Sequence, residues 1–272
     1  MWRSMLAILL FPLVAAGCTT PADRTDTAAP DPSPSTATQP LASPATLCGT
    51  QLTGRSVRFP ATDGTRLHGA IVGDGRIGVV LAHQYPGSMC DWAGFARHLA
   101  AGDHSVLLFD FRCFGDSPCP DGAEDRLIDD VAGAVALLRR HGAGQVFLVG
   151  ASMGGAAVMA AAPTIDPRVA GVVSLSGERD LGAFIPSLAI DAGAAIDHLT
   201  SPLLIVTAEG DRYLPVADAR YLHDHASSTD KELIVLPPGS GHGLQLIDTE
   251  APPGQPDVTE RILRFISTNT TR

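Results

Sequence analysis

The chain has 272 residues, of which 45% are hydrophobic and 18% are charged, and its 19 basic and 29 acidic residues give a net charge of -10 at pH 7. This balance argues against a nucleic-acid partner, because phosphate binding requires clustered Lys and Arg side chains. The length suits one domain of about 220 residues after an amino-terminal segment.

The first 18 residues have the features of a signal peptide. Arg3 precedes an apolar run, residues 5–16, which is too short to span a bilayer. The following Ala-Ala-Gly-Cys resembles a bacterial lipobox, in which the cysteine, here Cys18, is lipidated after cleavage. We expect an exported protein of the bacterial cell envelope, held to the membrane by a lipid at Cys18. An ordinary secretory signal with an incidental cysteine is the alternative.

Residues 19–46 are predicted to form a disordered linker. They are rich in Thr, Pro, Ala, Ser and Asp and contain almost no large apolar side chains. Such a segment cannot bury enough surface to offset its chain entropy, so we interpret it as a tether. A proline-rich recognition arm is the alternative. The folded domain is then expected at residues 47–272.

Apolar runs and helical patterns alternate along this domain. A hairpin around the turn at Asp63-Gly64 comes first, and six nearly continuous apolar strands follow it. The strands are predicted at 55–59, 67–72, 77–82, 106–111, 146–149, 169–175, 203–207 and 233–236, and the helices at 92–101, 123–141, 152–161, 215–225 and 258–267. The alternation predicts an α/β fold with a mostly parallel, eight-stranded sheet and helices on both faces.

A serine lies at the turn between the fifth strand and its helix. Residues 150–154 read Gly-Ala-Ser-Met-Gly and match the nucleophile elbow Gly-x-Ser-x-Gly, in which a sharp turn exposes a serine hydroxyl. Side chains at Gly150 and Gly154 would contact the neighbouring strand and helix, so glycine is required at both positions. Ser152 is therefore a candidate nucleophile, and it needs a base and an acid from later in the chain.

An aspartate and a histidine follow later strands. Asp211 comes after the strand at 203–207, and His242 lies in a glycine-rich loop after the strand at 233–236. Open α/β sheets place their sites at the carboxyl ends of the strands, which brings these residues to one edge. We expect Ser152 and His242 to approach hydrogen-bonding distance, with Asp211 behind the histidine ring. Glu178 and Asp180, after the sixth strand, are the alternatives for the acid.

These stretches resemble the α/β-hydrolase superfamily over residues 50–270, as does the Asp-Phe-Arg-Cys-Phe-Gly-Asp-Ser stretch at 110–117, where Cys113 stands at a usual glycine. The resemblance implies the α/β-hydrolase fold and a Ser-His-Asp triad of Ser152, His242 and Asp211. The chain looks like an exported serine esterase similar to dienelactone hydrolases, a carboxylesterase-like enzyme acting on small-molecule or lipid esters without a cofactor. The short segment at 177–200 implies a minimal cap.

The resemblance also implies an oxyanion hole of two backbone N–H groups. One belongs to Met153, directly after the nucleophile. The other belongs to Tyr85, in a loop where Gln84 replaces the usual glycine and Pro86 has no N–H to offer.

Other functions on the same scaffold stay open. A peptidase or amidase, or an acyltransferase, would carry the same catalytic residues. A non-catalytic binding protein of the cell envelope is the alternative from another class, because a fold does not dictate function.

The remaining cysteines and histidines complete the predictions. With Cys18 lipidated, the even number of cysteines left allows three disulfide pairings, of which we favour Cys113–Cys119 with Cys48–Cys90; free buried thiols are the alternative. No cluster predicts a metal site. Six histidines are interpreted as surface residues: His68, His98, His104, His141, His223 and His225.

Overall fold

The structure of the chain is a computed structural model, and it describes residues 41–49, 52–122, 126–248 and 257–271. The predicted signal peptide, Cys18 and residues 19–40 of the predicted linker lie outside these ranges, as do the first residues of the helix predicted at 123–141. Within the described ranges, no helix is long and apolar enough to cross a membrane.

The domain is built on one eight-stranded sheet of order β1-β2-β4-β3-β5-β6-β7-β8. The pairings of β2 with β1 and β4 are antiparallel, and all the others are parallel. The strands are β1 Arg55–Pro60, β2 Arg66–Val72, β3 Ile77–Ala82, β4 His104–Phe109, β5 Gln145–Ala151, β6 Gly171–Leu175, β7 Leu203–Ala208 and β8 Lys231–Leu236. The predicted α/β fold with a mostly parallel sheet is confirmed.

Helices cover both faces of the sheet and bury a separate apolar cluster on each. The helices are α1 Pro44–Cys48, α2 Ala93–Ala100, α3 Leu127–Arg140, α4 Met153–Ala161, α5 Ala192–Ala195, α6 Val216–His225, α7 Gln245–Asp248 and α8 Val258–Asn269. Side chains of α3, α4 and α6 pack into one cluster, and those of α2 and α8 pack into the other. Strands buried on both faces explain the continuous apolar runs in the sequence.

The structure differs from the sequence prediction at β4 and at α1, among other elements. Strand β4 is two residues earlier than predicted, because its parallel register on β3 ends where Phe109 pairs with Ala82. Asp110 then leaves the sheet, and its Oδ1 accepts a hydrogen bond from Met89 N at 2.8 Å. Helix α1 begins inside the predicted linker, capped by the Ser43 hydroxyl.

His68 is buried, so the prediction of a surface residue is wrong. It lies in β2, is 2% exposed, and places its Nδ1 3.7 Å from Asp110 Oδ2. An alternation of buried and exposed residues would place His68 at the surface, but almost every residue of β2 is buried.

Two disulfides are present, in the pairing that the sequence favours. Cys48–Cys90 joins α1 to a short 3-10 turn, Met89–Trp92, and Cys113–Cys119 closes the loop after β4. In the same loop the Arg112 guanidinium is 1% exposed and bonds Asp130 and Asp63. The ion pairs of Arg112 therefore stabilise the fold, while Phe114 of the same stretch places its ring 5.9 Å from that of Tyr85.

Candidate active site

Ser152 lies in a strained turn between β5 and α4. Its backbone has φ 48° and ψ -119°, a combination that non-glycine residues rarely adopt. A Cβ on Gly150 would lie 2.2 Å from the carbonyl oxygen of Gly154, and one on Gly154 would lie 2.2 Å from that of Ala82. The two glycines are thus required by the close approach of strand and helix, as the sequence predicted.

Asp211 and His242 are brought together at the carboxyl edge of the sheet. His242 Nδ1 lies 2.9 Å from Asp211 Oδ2 and 3.1 Å from Oδ1. The N–H groups of Tyr213 and Leu214 also donate to Oδ1, at 3.0 and 3.2 Å. This network fixes the carboxylate behind the imidazole, as expected, and leaves Nε2 for the other side of the ring.

The Ser152 hydroxyl is bonded to Glu178 and not to His242. Ser152 Oγ donates to Glu178 Oε1 at 2.8 Å, and the same Oε1 lies 3.8 Å from His242 Nε2. No hydrogen bond joins Ser152 to His242 in the described part of the chain, so the expected direct contact is wrong for this conformation. The sequence offers Glu178 only as an alternative acid, because it is an acidic residue that follows β6, the strand beside β5.

The two carboxyl groups have opposite electrostatics. Burial opposes the ionisation of Asp211, but the hydrogen bonds from His242 and from the Tyr213 backbone outweigh it and hold the pKa of Asp211 below its ordinary value. Burial raises the pKa of Glu178 above its ordinary value, although the hydrogen bond from Ser152 opposes this. Asp211 is therefore suited to stabilise an imidazolium, and Glu178 keeps its proton to a higher pH than an ordinary glutamate does.

Of the two predicted oxyanion donors, Met153 directly follows Ser152, and Tyr85 lies in the loop after β3, the strand beside β5. Met153 is the first residue of α4, where a backbone N–H has no partner within the helix. Tyr85 follows β3 and precedes a cis bond to Pro86, and its N–H has no acceptor among the described residues. The Gln84 side chain accepts a hydrogen bond from Leu244 N at 3.0 Å.

Aromatic side chains surround this edge of the sheet. In the described ranges, the large apolar side chains that are exposed are Tyr85, Phe184 and Tyr213, at 49%, 48% and 42%. The Tyr213 ring lies 4.8 Å from the ring of His242 and 5.8 Å from that of Phe184. A cavity of about 300 Å³ lies beside His242, lined in part by Tyr213 and Asp211. The solvent-accessible rim of this edge is thus formed by the three exposed aromatic residues, Tyr85, Phe184 and Tyr213.

Asp180, an alternative acid in the sequence analysis, and a larger cavity both lie away from His242. Asp180 caps a 3-10 turn, Leu181–Ala183, through the N–H of Ala183, and is not one of the partners of His242. A larger cavity, about 490 Å³, lies at the opposite edge of the sheet, beside the first residue of β5, Gln145. No group of His, Cys, Asp or Glu side chains in the described residues could hold a metal ion.

Comparison with known proteins agrees with the architecture. Residues 78–198 match the family model of the α/β hydrolase fold. The Pf2001 esterase of Pyrococcus furiosus superposes with a TM-score of 0.64 at 19% identity, over 80% of this chain and 90% of that chain. The α/β hydrolase GrgF from Penicillium sp. sh18 gives 0.66 at 18% identity, over 80% and 99%.

A third structure, the EaEST esterase from Exiguobacterium antarcticum, gives 0.62 at 16% identity, over 78% of this chain and 99% of that chain. No curated protein sequence matches the chain significantly. At such identities the likeness establishes the fold, and activity has to be argued from the site. By its sheet, its elbow and the family model that matches residues 78–198, the chain has the α/β-hydrolase fold.

Proposed function

We propose that the protein is a serine hydrolase that cleaves carboxylic esters through an acyl-enzyme, with Ser152, His242 and Asp211 as its catalytic residues. The observation that carries the proposal is the contact of His242 Nδ1 with both carboxylate oxygens of Asp211, at the edge where the elbow presents Ser152. Esterases are among the solved structures that share the fold, which favours esters over amides as substrates.

In the first half of the reaction, Ser152 Oγ attacks the ester carbonyl carbon and its proton passes to His242 Nε2. The carbonyl electron pair becomes an oxyanion, to which the N–H groups of Met153 and Tyr85 donate. Asp211 holds the imidazole in the tautomer that leaves Nε2 free and stabilises the imidazolium. The tetrahedral intermediate then expels the alcohol, which takes the proton from Nε2.

In the second half, water attacks the acyl carbon with His242 as base, and the acid leaves as Ser152 recovers its proton. The rim of Tyr85, Phe184 and Tyr213 supports an apolar or aromatic group on the substrate, because exposed aromatic side chains offer contact area to such groups.

We also propose export and attachment to the bacterial membrane through a lipid on Cys18. The sequence around Cys18 supports this, and residues 19–40 would hold the domain away from the surface. Globomycin-sensitive processing together with a mass shift at Cys18 would test it, and an unmodified, unprocessed chain would refute it.

A fluorophosphonate probe tests the catalytic proposal. The wild type should be labelled at Ser152, and the Ser152→Ala variant should not. Ser201→Ala is the matched control, because Ser201 is also buried but bonds Val169 O at the far edge of the sheet. A folded wild type that stays unlabelled would refute the proposal and favour a binding protein. Labelling without turnover of p-nitrophenyl esters of any chain length would indicate amide cleavage or acyl transfer.

A further inference from the structure

Glu178 is a buried acidic residue in direct contact with the proposed nucleophile, yet the reaction described above does not use it. Its side chain is 4% exposed, and its Oε1 accepts the Ser152 hydroxyl at 2.8 Å. The other oxygen, Oε2, is buried and has no hydrogen-bond partner among the described residues. A buried carboxyl group with one oxygen unsatisfied costs stability, so a functional reason for its position is expected.

The backbone delivers Glu178 to this position by a close contact between two glycines. A Cβ on Gly177 would lie 2.5 Å from the carbonyl carbon of Gly155, and a Cβ on Gly155 would lie 2.7 Å from the Cα of Gly177. The loop after β6 therefore packs directly on the first turn of α4. Glu178 is the next residue and contacts the elbow, so the packing of the loop after β6 on α4 positions it against Ser152.

The neighbouring charges do not neutralise Glu178. Arg179, the next residue, turns away and bonds Asp218 at 3.3 Å, with its guanidinium over the Tyr221 ring. Asp211 adds a second negative charge, and within the described ranges the cationic partner near Glu178 is His242 when it is protonated. Glu178 can thus interact with the proton of Ser152 and with that of His242.

The serine hydroxyl has a single proton and can donate it to only one acceptor. While Ser152 donates to Glu178, it cannot donate to His242 Nε2, and attack requires that second arrangement. We propose that Glu178 is a positioning residue that holds the Ser152 hydroxyl away from His242 in the free protein, so that the hydroxyl must change acceptor before it attacks. The inference rests on the proposed function and adds a resting state to it.

The rate of fluorophosphonate labelling tests this, because it reports the attack of Ser152 without any deacylation step. Glu178→Ala removes the competing acceptor and should raise the second-order labelling rate about tenfold, as expected for loss of a hydrogen bond to a charged group. A merely structural contact would give the reverse, since a loosened elbow slows labelling. Asp180→Asn is the control, because it removes a nearby charge that does not touch Ser152.

Each outcome has a separate meaning. An unlabelled wild type refutes the proposed function, whereas a labelled wild type with an equal or slower Glu178→Ala variant refutes only the role of Glu178. Thermal unfolding establishes that each variant is folded. If Glu178→Ala does not fold, Glu178→Leu decides in its place by the same criterion, because leucine fills much of the same space and carries no hydrogen-bond acceptor.

Discussion

Gln84 Oε1 accepts a hydrogen bond from the backbone N–H of Leu244 at 3.0 Å, and this bond joins the loop after β3 to the loop that carries His242. Gly243 lies directly against the same side chain, since a Cβ there would come within 2.4 Å of Gln84 Oε1. Gln84, which stands where the resemblance to α/β hydrolases leads us to expect a glycine, therefore positions the loop that carries His242, the proposed base.

Replacement of Gln84 by Ala should lower ester turnover about tenfold, because an unpaired Leu244 N–H and a freer His242 loop misplace the base. Turnover of a p-nitrophenyl ester, with Tm measured in parallel, checks this. Gln145→Ala is the matched control, since Gln145 Oε1 also accepts a backbone N–H, from Thr271 at 3.0 Å, but at the far edge of the sheet. Equal turnover in both variants would contradict the role of Gln84.

The change Asp211→Asn should reduce kcat about 10⁴-fold, because an amide cannot hold His242 in the required tautomer or stabilise its charged form. Steady-state kinetics on one ester, with circular dichroism to confirm folding, provides the measurement. Asp180→Asn should stay within a factor of about three, since Asp180 only caps a 3-10 turn. A loss below tenfold in Asp211→Asn would mean that another carboxyl group serves His242.

Glu178 should make stability depend on pH. Its pKa is raised by burial in the folded protein, so the folded state binds the proton more tightly than the unfolded chain, where the pKa is about 4.3. The stability from this group is complete below the unfolded pKa and is lost as the pH rises through the folded pKa. Glu178→Gln carries no titrating proton, so its stability relative to wild type should rise with pH.

Urea unfolding of both proteins at pH 4.5 and pH 8 measures this difference. The other titrating groups, Asp211 included, are common to the two proteins, so their contributions largely cancel. The prediction fails if Glu178→Gln is less stable relative to wild type at pH 8 than at pH 4.5. That result would show that the folded protein stabilises the carboxyl group as an anion.

The two disulfides should differ in their effect on stability. The residues of Cys48–Cys90 are 42 apart in sequence and those of Cys113–Cys119 are 6 apart, so loop entropy predicts losses of about 4 and about 2 kcal/mol on removal. Paired Cys→Ser variants, compared by urea unfolding, give the two free energies. A larger loss for the short loop would mean that native contacts, and not chain entropy, dominate.

The sheet was largely predictable because its strands are covered on both faces and therefore appear as apolar runs. Where the prediction failed, contacts distant in sequence were responsible. Strand β4 ends at Phe109 because of its register on β3, and helix α1 lies in a polar stretch that a disulfide to Cys90 fastens to the domain. The Cys48–Cys90 pairing was favoured from the sequence, but neither the strand register nor the helix that the disulfide fastens can be read from composition.

The sequence predicted which strand ends carry the candidate site residues, but not all of the contacts that their side chains make. Strand ends brought Asp211 and His242 together, because parallel strands finish at one edge. The bond from Ser152 to Glu178 could not be predicted, since it depends on side-chain rotamers and on how closely Gly155 approaches Gly177.

The short segment after β6 has a consequence for the size of the molecules that can be processed. Residues 177–200 fold into single turns, and Phe184, within them, stays about half exposed. The protein does not have to enclose the whole substrate, so an ester bond on a bulky carrier, such as a polymer or a particle, could reach the proposed catalytic residues. Departure of the products would then need no opening motion, and turnover would follow the chemistry of the acyl group.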